Sequence, residues 1–453
     1  MIKRARVFET VPAECRFLQE AAEMPFIPEQ KAEMNVISVF PEREYQEILG
    51  FGGAFTESAG YVYAQLGAAD KKRLIEAYFD PDKGIGYTLG RTHMNSCDFS
   101  LENYACYESE ADYRAERFDP SRTFKYTVPL MKAAFAHAES SGRSITLHAV
   151  PWSPPAFMKT NGNMNCGGSL KSEYRQAWAD CFVRYIRALE REGIRTGIVS
   201  TQNEPAAVQR WDSCRYTAAE ETAFVRDYLG PTLAAAGLGD IKILVWDHNK
   251  ESVLERSSAA FDDRVASEYV WGAGFHWYSG DHFEQLSLVH ERYPHKALLL
   301  TEFCVEERSD DGPQGNAEKY AHELIGDLNN FANGFIDWNL LLDEEGGPNH
   351  ARNFCDAAVR TRIRAGKTEL EFRPAYYYMG HFSKFIFPCS RRIAVSRFSD
   401  KLETCAFKRP DGKLVLIVLN RSDTAAESVI SVPEYGIASA SFKPHSIKTV
   451  VLP

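Results

Sequence analysis

Eight short runs rich in β-branched and aromatic residues recur between residues 48 and 338, and helical patterns lie between them. The runs fall at 48–54, 88–94, 144–150, 197–201, 243–246, 270–277, 297–301 and 334–338. Helical periodicity marks 174–192 and 316–331, and Thr217-Ala218-Ala219-Glu220 is a capping box opening a helix that runs toward Gly230-Pro231. Strands alternating with helices specify a parallel sheet. Eight of them within about 300 residues favour a closed (β/α)8 barrel over an open sheet.

From residue 385 the texture changes to short alternating segments at 392–398, 402–408, 413–420, 427–432 and 437–453. Pro410-Asp411-Gly412 and Asn420-Arg421-Ser422-Asp423 supply turns between them, the pattern of a β-sandwich. A further strand-like piece at 35–40 precedes the barrel and could join the same module. The expected organisation is an N-terminal segment (1–47) contributing to the sandwich, a catalytic barrel (48–384) and a C-terminal sandwich (385–453), an α/β barrel with an all-β domain built from both chain ends.

The 453 residues carry 52 Lys and Arg against 62 Asp and Glu, a formal charge of −10. No basic block stands out, which argues against nucleic acid or an anionic membrane as the main partner. The longest aliphatic run, 414–419, is far short of a transmembrane span. Basic residues at the start are followed by no apolar h-region, so the expectation is a protein without a secretory signal, placed in the cytoplasm. The ten cysteines show no Cys-x-x-Cys or zinc spacing and read as reduced thiols.

Two glutamates end barrel-strand runs: Glu204 in Thr201-Gln202-Asn203-Glu204-Pro205, and Glu302 in Leu298-Leu299-Leu300-Thr301-Glu302. They lie about three βα units apart, which brings both to the C-terminal mouth of a barrel. Glycoside hydrolysis needs such a pair. Taken alone, Glu204 is as readily a helix-start glutamate paired with an arginine; for Glu302 a salt-bridged group beneath the barrel is the lesser alternative. The aromatic residues Trp152, Trp246, Trp277, Tyr278 and Trp338 also fall at strand ends, with Asn203, His276 and Asn339 beside them. Sugar rings pack C–H faces on aromatic planes and need polar partners for their hydroxyls, so this mixture suits a carbohydrate cleft. Tyr278 and His276 are placed to orient the nucleophile. Arg91 could steady Glu302 and Asp98 could bind hydroxyls, and for each a structural ion pair is an equally good reading. A metal-dependent hydrolase would need clustered ligands; His93, His148 and His276 fall on strands two, three and six with no ligand motif. No metal or cofactor is expected.

Residues from about 50 to 384 resemble glycoside hydrolase family 30, specifically its glucosylceramidase-type branch. The strings that carry the likeness include Gly50-Phe51-Gly52-Gly53-Ala54-Phe55-Thr56-Glu57, Arg91-Thr92-His93-Met94-Asn95-Ser96-Cys97-Asp98, Pro151-Trp152-Ser153-Pro154-Pro155 and Asn203-Glu204-Pro205. Phe275-His276-Trp277-Tyr278, Thr301-Glu302-Phe303-Cys304, Trp338-Asn339-Leu340 and Arg352-Asn353-Phe354 continue it. The resemblance implies a barrel fused to a sandwich and cofactor-free retaining hydrolysis of β-glycosides. It also implies Glu204 as acid/base and Glu302 as nucleophile, with Asp98, Trp152, Asn203 and Trp338 around the non-reducing sugar and His276, Tyr278 and Asn353 nearby. Cys304 follows the nucleophile closely. The chain departs from the animal lysosomal enzymes over 206–214 and at His350, where those enzymes carry tryptophan. Both sites are on mouth loops, so aglycone preference does not carry over.

The expected mechanism is double displacement, with the Glu204 pKa raised by burial and by a second carboxylate. The expected carboxyl separation is about 5–5.5 Å, against roughly 6.5–9.5 Å for an inverting enzyme. A β-glucoside, glucosylceramide-like or simpler, is the leading substrate, with β-1,6-glucan, β-xyloside and β-fucoside as alternatives. A non-catalytic carbohydrate binder is the reading from a different class, and the glutamate pair argues against it.

Overall fold

The computed structural model describes residues 2–28, 34–306, 309, 311–364 and 367–453; positions 1 and 29–33 of the expected N-terminal segment lie outside the described residues. Three strands come first: β1 (Lys3–Val11), β2 (Arg16–Phe26) and β3 (Val36–Glu47). The barrel follows with β4 (Gly50–Ala54), β5 (Leu89–Met94), β6 (Thr146–Pro151), β7 (Thr196–Ser200), β8 (Lys242–Asn249), β9 (Val270–His276) and β10 (Ala297–Glu302). A two-residue strand β11 (Val305–Glu306) precedes the last barrel strand, β12 (Gly334–Asp337). Then come β13 (Cys355–Asp356) and the hairpin β14 (Val359–Arg364) and β15 (Lys367–Phe372). The tail supplies β16 (Arg391–Arg397), β17 (Leu402–Lys408), β18 (Leu414–Asn420), β19 (Ala426–Val432), β20 (Gly436–Phe442) and β21 (Ser446–Leu452).

The eight expected barrel strands close in the order β10-β12-β4-β5-β6-β7-β8-β9, all parallel. Leu89, Ile198, Leu244, Leu299 and Ile336 pack together as one cluster contributed by five of these strands. The walls leave little room for side chains between strands. A Cβ on Gly52 would stand 2.0 Å from the Leu89 carbonyl oxygen, so Gly52→Ala is expected to lower stability by about 1–3 kcal/mol, read as a lower urea midpoint at unchanged m.

The sandwich strands run in the order β2-β1-β21-β18-β17-β16-β3-β19-β20, with both chain ends interleaved. The sheet closes back on itself where Ile27 bridges Ile437, around a core that includes Phe26, Val39, Ile393, Val418 and Phe442. The N-terminal contribution is larger than one strand. β1 and β2 are rich in charge (Lys3, Arg4, Arg6, Arg16, Glu20, Glu23) because their outer faces are solvated, and β2 is an edge strand of the order. The segment 437–453 is two strands, parted by a turn at 443–445.

One helix departs from expectation. Thr217 caps Ala218–Phe224 through the capping box, but the chain does not stop at Gly230-Pro231. It passes through a π turn over Val225–Leu229 into Gly230–Ala235. The wider turn places Pro231 in the first turn of the next segment, where its missing N–H costs nothing. Gly230 fits there because a Cβ would meet the Tyr269 ring.

Candidate active site

A cleft of about 760 Å³ is lined by Asp98, Trp152, Asn203, Glu204, Tyr278, Glu302, Cys304, Trp338 and Asn353. These residues sit at or just beyond the carboxyl ends of the barrel strands, where the irregular backbone aims them. Asn203 N donates to Pro151 O at 2.8 Å and Glu204 N donates to Asp247 O at 3.0 Å, pinning the segment after β7 to both neighbouring strands. Glu204 itself holds a left-handed φ of 47°, a conformation that non-glycine residues keep only where the surroundings impose it. Glu302 lies at a register shift between β10 and β9, and β8 shifts register against β9 between Trp246 and His248. Bulges of this kind re-aim side chains at barrel rims.

Both oxygens of Glu302 are engaged. Arg91 donates to Oε2 at 2.5 Å and Tyr278 OH donates to Oε1 at 2.9 Å. Arg91 is fully buried and also donates to Asn203 Oδ1 at 2.7 Å and to Asp247 Oδ1 at 3.2 Å, with its guanidinium 4.8 Å from the Trp152 ring centre. Trp152 stacks on Trp338 at 5.3 Å, giving one wall an aromatic surface. Asp98 Oδ2 accepts from Asn353 Nδ2 at 2.7 Å, while its Oδ1 has no protein partner. Burial, and then the charge of Glu302, push the Asp98 carboxyl up to about 7.

Glu204 faces imidazoles. His276 Nδ1 lies 3.4 Å from Glu204 Oε1, and its Nε2 lies 2.9 Å from Asp247 Oδ1; His248 Nε2 is 3.8 Å from the same glutamate oxygen. Burial opposes a charged His276, but Glu302, Asp247 and Glu204 surround it with negative charge and raise it to about 9. Burial likewise works to raise Glu204; the hydrogen bond from His276 and the facing His248 and His276 overcome it and hold the carboxyl down at about 2. The expected sign is therefore reversed. Both partners of His276 are carboxylates, which favours the imidazolium, and the facing imidazoles favour the ionised Glu204.

Other expectations are redrawn by the geometry. His276 does not line the cleft: it is buried with Nδ1 toward Glu204 and Nε2 toward Asp247, and Tyr278 alone of the two bonds Glu302. Trp246 does not line the cleft. Its φ of 72° at the bulge turns it away, where it lies against Arg256, and Asp247 takes the inward position. His93, His148 and His276 form no common cluster: His93 accepts from Glu57 N and bonds Asn95 O, while His148 bonds Ser200. The three groups that do converge are Glu204, His276 and Glu302, with a nitrogen or oxygen of each within 4.8 Å of the others.

Asp247 is a buried residue of the site that the sequence patterns did not mark. Fully buried, its Oδ1 receives Thr301 Oγ1 at 2.5 Å as well as Arg91 and His276, which hold it well below the usual carboxylate range against the effect of burial. Its signal was the charged pair Asp247-His248 directly after a barrel-strand run. Asp212 and His350 form a second missed unit. His350 Nε2 lies 3.1 Å from Asp212 Oδ2, and Ser96 and Asn103 donate to Asp212 Oδ1, joining three mouth loops.

Comparison with known proteins agrees with this architecture. Residues 48–386 match the glycosyl hydrolase family 30 TIM-barrel domain and residues 390–450 match the family 30 beta sandwich domain. The chain is 34% identical to the lysosomal acid glucosylceramidase of Mus musculus over 432 residues, covering 91% of this chain and 82% of that protein. Among solved structures, SrfJ from Salmonella typhimurium superposes with a TM-score of 0.94 at 37% identity, covering 99% of both chains. The endo-beta1,6-glucanase BT3312 superposes at 0.86 with 28% identity, again over 99% of both. With both domains matched in order and the relatives aligned over nearly the whole chain, this protein belongs to glycosyl hydrolase family 30 and is a glycoside hydrolase.

Proposed function

We propose that the protein cleaves a β-D-glucoside with retention, Glu302 attacking the anomeric carbon and Glu204 serving as acid and then base. The observation that carries this reading is the closeness of the two carboxylates, whose nearest oxygens lie within 4.8 Å. Carboxylates this close suit direct attack by one of them, the shorter spacing of the retaining mechanism. Arg91 and Tyr278 fix the Glu302 carboxylate for attack.

Proton delivery runs through the Glu204–His276 pair. The pair holds one proton, and moving it from His276 Nδ1 to Glu204 makes the acid that protonates the leaving oxygen. Once Glu302 is glycosylated its negative charge is gone, and with it the first of the influences that raise His276. Glu204 then takes the proton of the incoming water. Above the His276 pKa the pair is empty, so kcat/KM is expected to fall as pH rises through about 9. Asp247→Asn removes a carboxylate that supports the imidazolium, and should move that basic limb to lower pH; an unmoved limb would show that Asp247 does not set the pair's proton affinity.

The sugar is assigned as glucose from the 34% identity to a glucosylceramidase, with Asp98 Oδ1 left as a free acceptor for a sugar hydroxyl. β-1,6-Glucan is a second reading, favoured by the full-length likeness to BT3312. A panel of aryl β-D-glucoside, xyloside, fucoside and galactoside, with linear β-1,6-glucan alongside, separates them. Fastest turnover of the glucoside with β-glucose as first product supports the lead reading; α-glucose as first product overturns retention, and turnover of the glucan alone favours the second reading.

A further inference from the structure

Cys304 and Cys355 bring their sulfurs within 3.0 Å of one another at the edge of the cleft, closer than unbonded atoms of that size ordinarily sit. They belong to separate loops, one following β10 and one following β12, and the loops are held together by antiparallel pairing of β11 with β13, where Glu306 faces Cys355. Cys304 is partly accessible and Cys355 is buried. The position is chemically loaded. Tyr278 OH, the donor to Glu302 Oε1, lies 3.4 Å from Cys304 Sγ, and the Asn353 that holds Asp98 is two residues before Cys355.

We propose that Cys304 and Cys355 are a site of reversible oxidation, joined by a peroxide into a disulfide that withdraws Tyr278 from the Glu302 carboxylate and slows turnover. The Cys304 thiolate attacks one peroxide oxygen; the O–O bond breaks, hydroxide leaves and the sulfur becomes a sulfenic acid. Cys355 sulfur then attacks that sulfur. The S–O bond breaks, the departing hydroxide leaves with a proton as water, and two electrons have passed from the thiols to one peroxide, released as two waters. The sulfurs must close from 3.0 Å to about 2.05 Å, and the Cys304 S–H beside Tyr278 is lost. A displacement near 1 Å beside the nucleophile is enough to cost about tenfold to a hundredfold in rate. The link itself does not depend on the substrate assigned above, whereas its effect on rate rests on that reading of Glu302.

The test treats reduced, purified protein with hydrogen peroxide, maps cysteine linkages by mass spectrometry, and follows hydrolysis of whichever aryl glycoside the reduced protein turns over. The expected result is a Cys304–Cys355 peptide two hydrogens lighter, a fall in rate of about tenfold or more in step with it, and recovery of both on adding dithiothreitol. Cys355→Ala should form no link and instead leave Cys304 as a sulfenic acid that dimedone captures; absence of any Cys304 adduct in that variant would remove Cys304 as the attacking thiol. Oxidation of the exposed Cys15, Cys166 and Cys389 with no 304–355 link would overturn the proposal, as would a link that leaves the rate unchanged. If no glycoside is turned over by the reduced protein, the functional reading fails while the mass map still decides the link.

Discussion

Glu302→Gln is expected to lower kcat by on the order of 10⁴-fold or more while leaving the protein folded. Glutamine keeps the volume of the side chain and an oxygen that can accept from Arg91, so the buried guanidinium retains that contact together with Asp247 and Asn203. The change removes the negative charge and the electron pair that form the bond to the anomeric carbon. Both step rates fall together, since no glycosyl-enzyme forms. A second variant makes the role specific: in Glu302→Ala the vacated space admits azide, which should restore turnover and give a glycosyl azide of inverted configuration. Wild-type-like rates in Glu302→Gln, or retained configuration in the azide product, would remove Glu302 from the nucleophile's position.

The two glutamates were legible because each ends a run whose apolar residues are the barrel wall. A carboxylate emerging from Leu298-Leu299-Leu300 has to be bonded or used, and the same period that builds the barrel places it at the mouth. Arg91 beside Glu302 was likewise open to reading, as one of two possibilities that the structure resolves through the 2.5 Å contact. What remained hidden turns on backbone irregularity. The extra residue in β8 reverses the expected facing of Trp246 and Asp247, and a period-two reading of that strand cannot include a bulge whose left-handed φ values fall on Trp246 and Asp247. The Glu204 error is of another kind. Burial and like charge were visible in the pattern, but His276 and His248 come from other strands, and their approach to Glu204 depends on closure of the barrel. The strands β1 and β2 were not marked individually because charge masks their alternation: Lys3, Arg4 and Arg6 are exposed on an otherwise buried β1, and β2 is mostly half-buried or exposed.

Glu204→Ala should separate substrates by leaving group. For an alkyl or lipid-like aglycone, whose oxygen must be protonated as it departs, kcat/KM is expected to fall by about 10²–10⁴-fold. For an activated aryl glycoside the departing phenolate needs no proton, so formation of the glycosyl-enzyme stays fast. Its hydrolysis then lacks a base, and the intermediate on Glu302 accumulates, visible as a burst of phenolate followed by a slow steady rate. Azide, which attacks without a base, should relieve that slow step and give a product of retained configuration, the opposite stereochemical outcome to the Glu302→Ala experiment. Removing Glu204 also removes the acceptor of the His276 proton, so the fall in kcat/KM near pH 9 should disappear for the activated substrate. Equal losses on both substrate classes, or persistence of the basic limb, would assign the proton to another group, and His248, 3.8 Å from Glu204, would be the first to test.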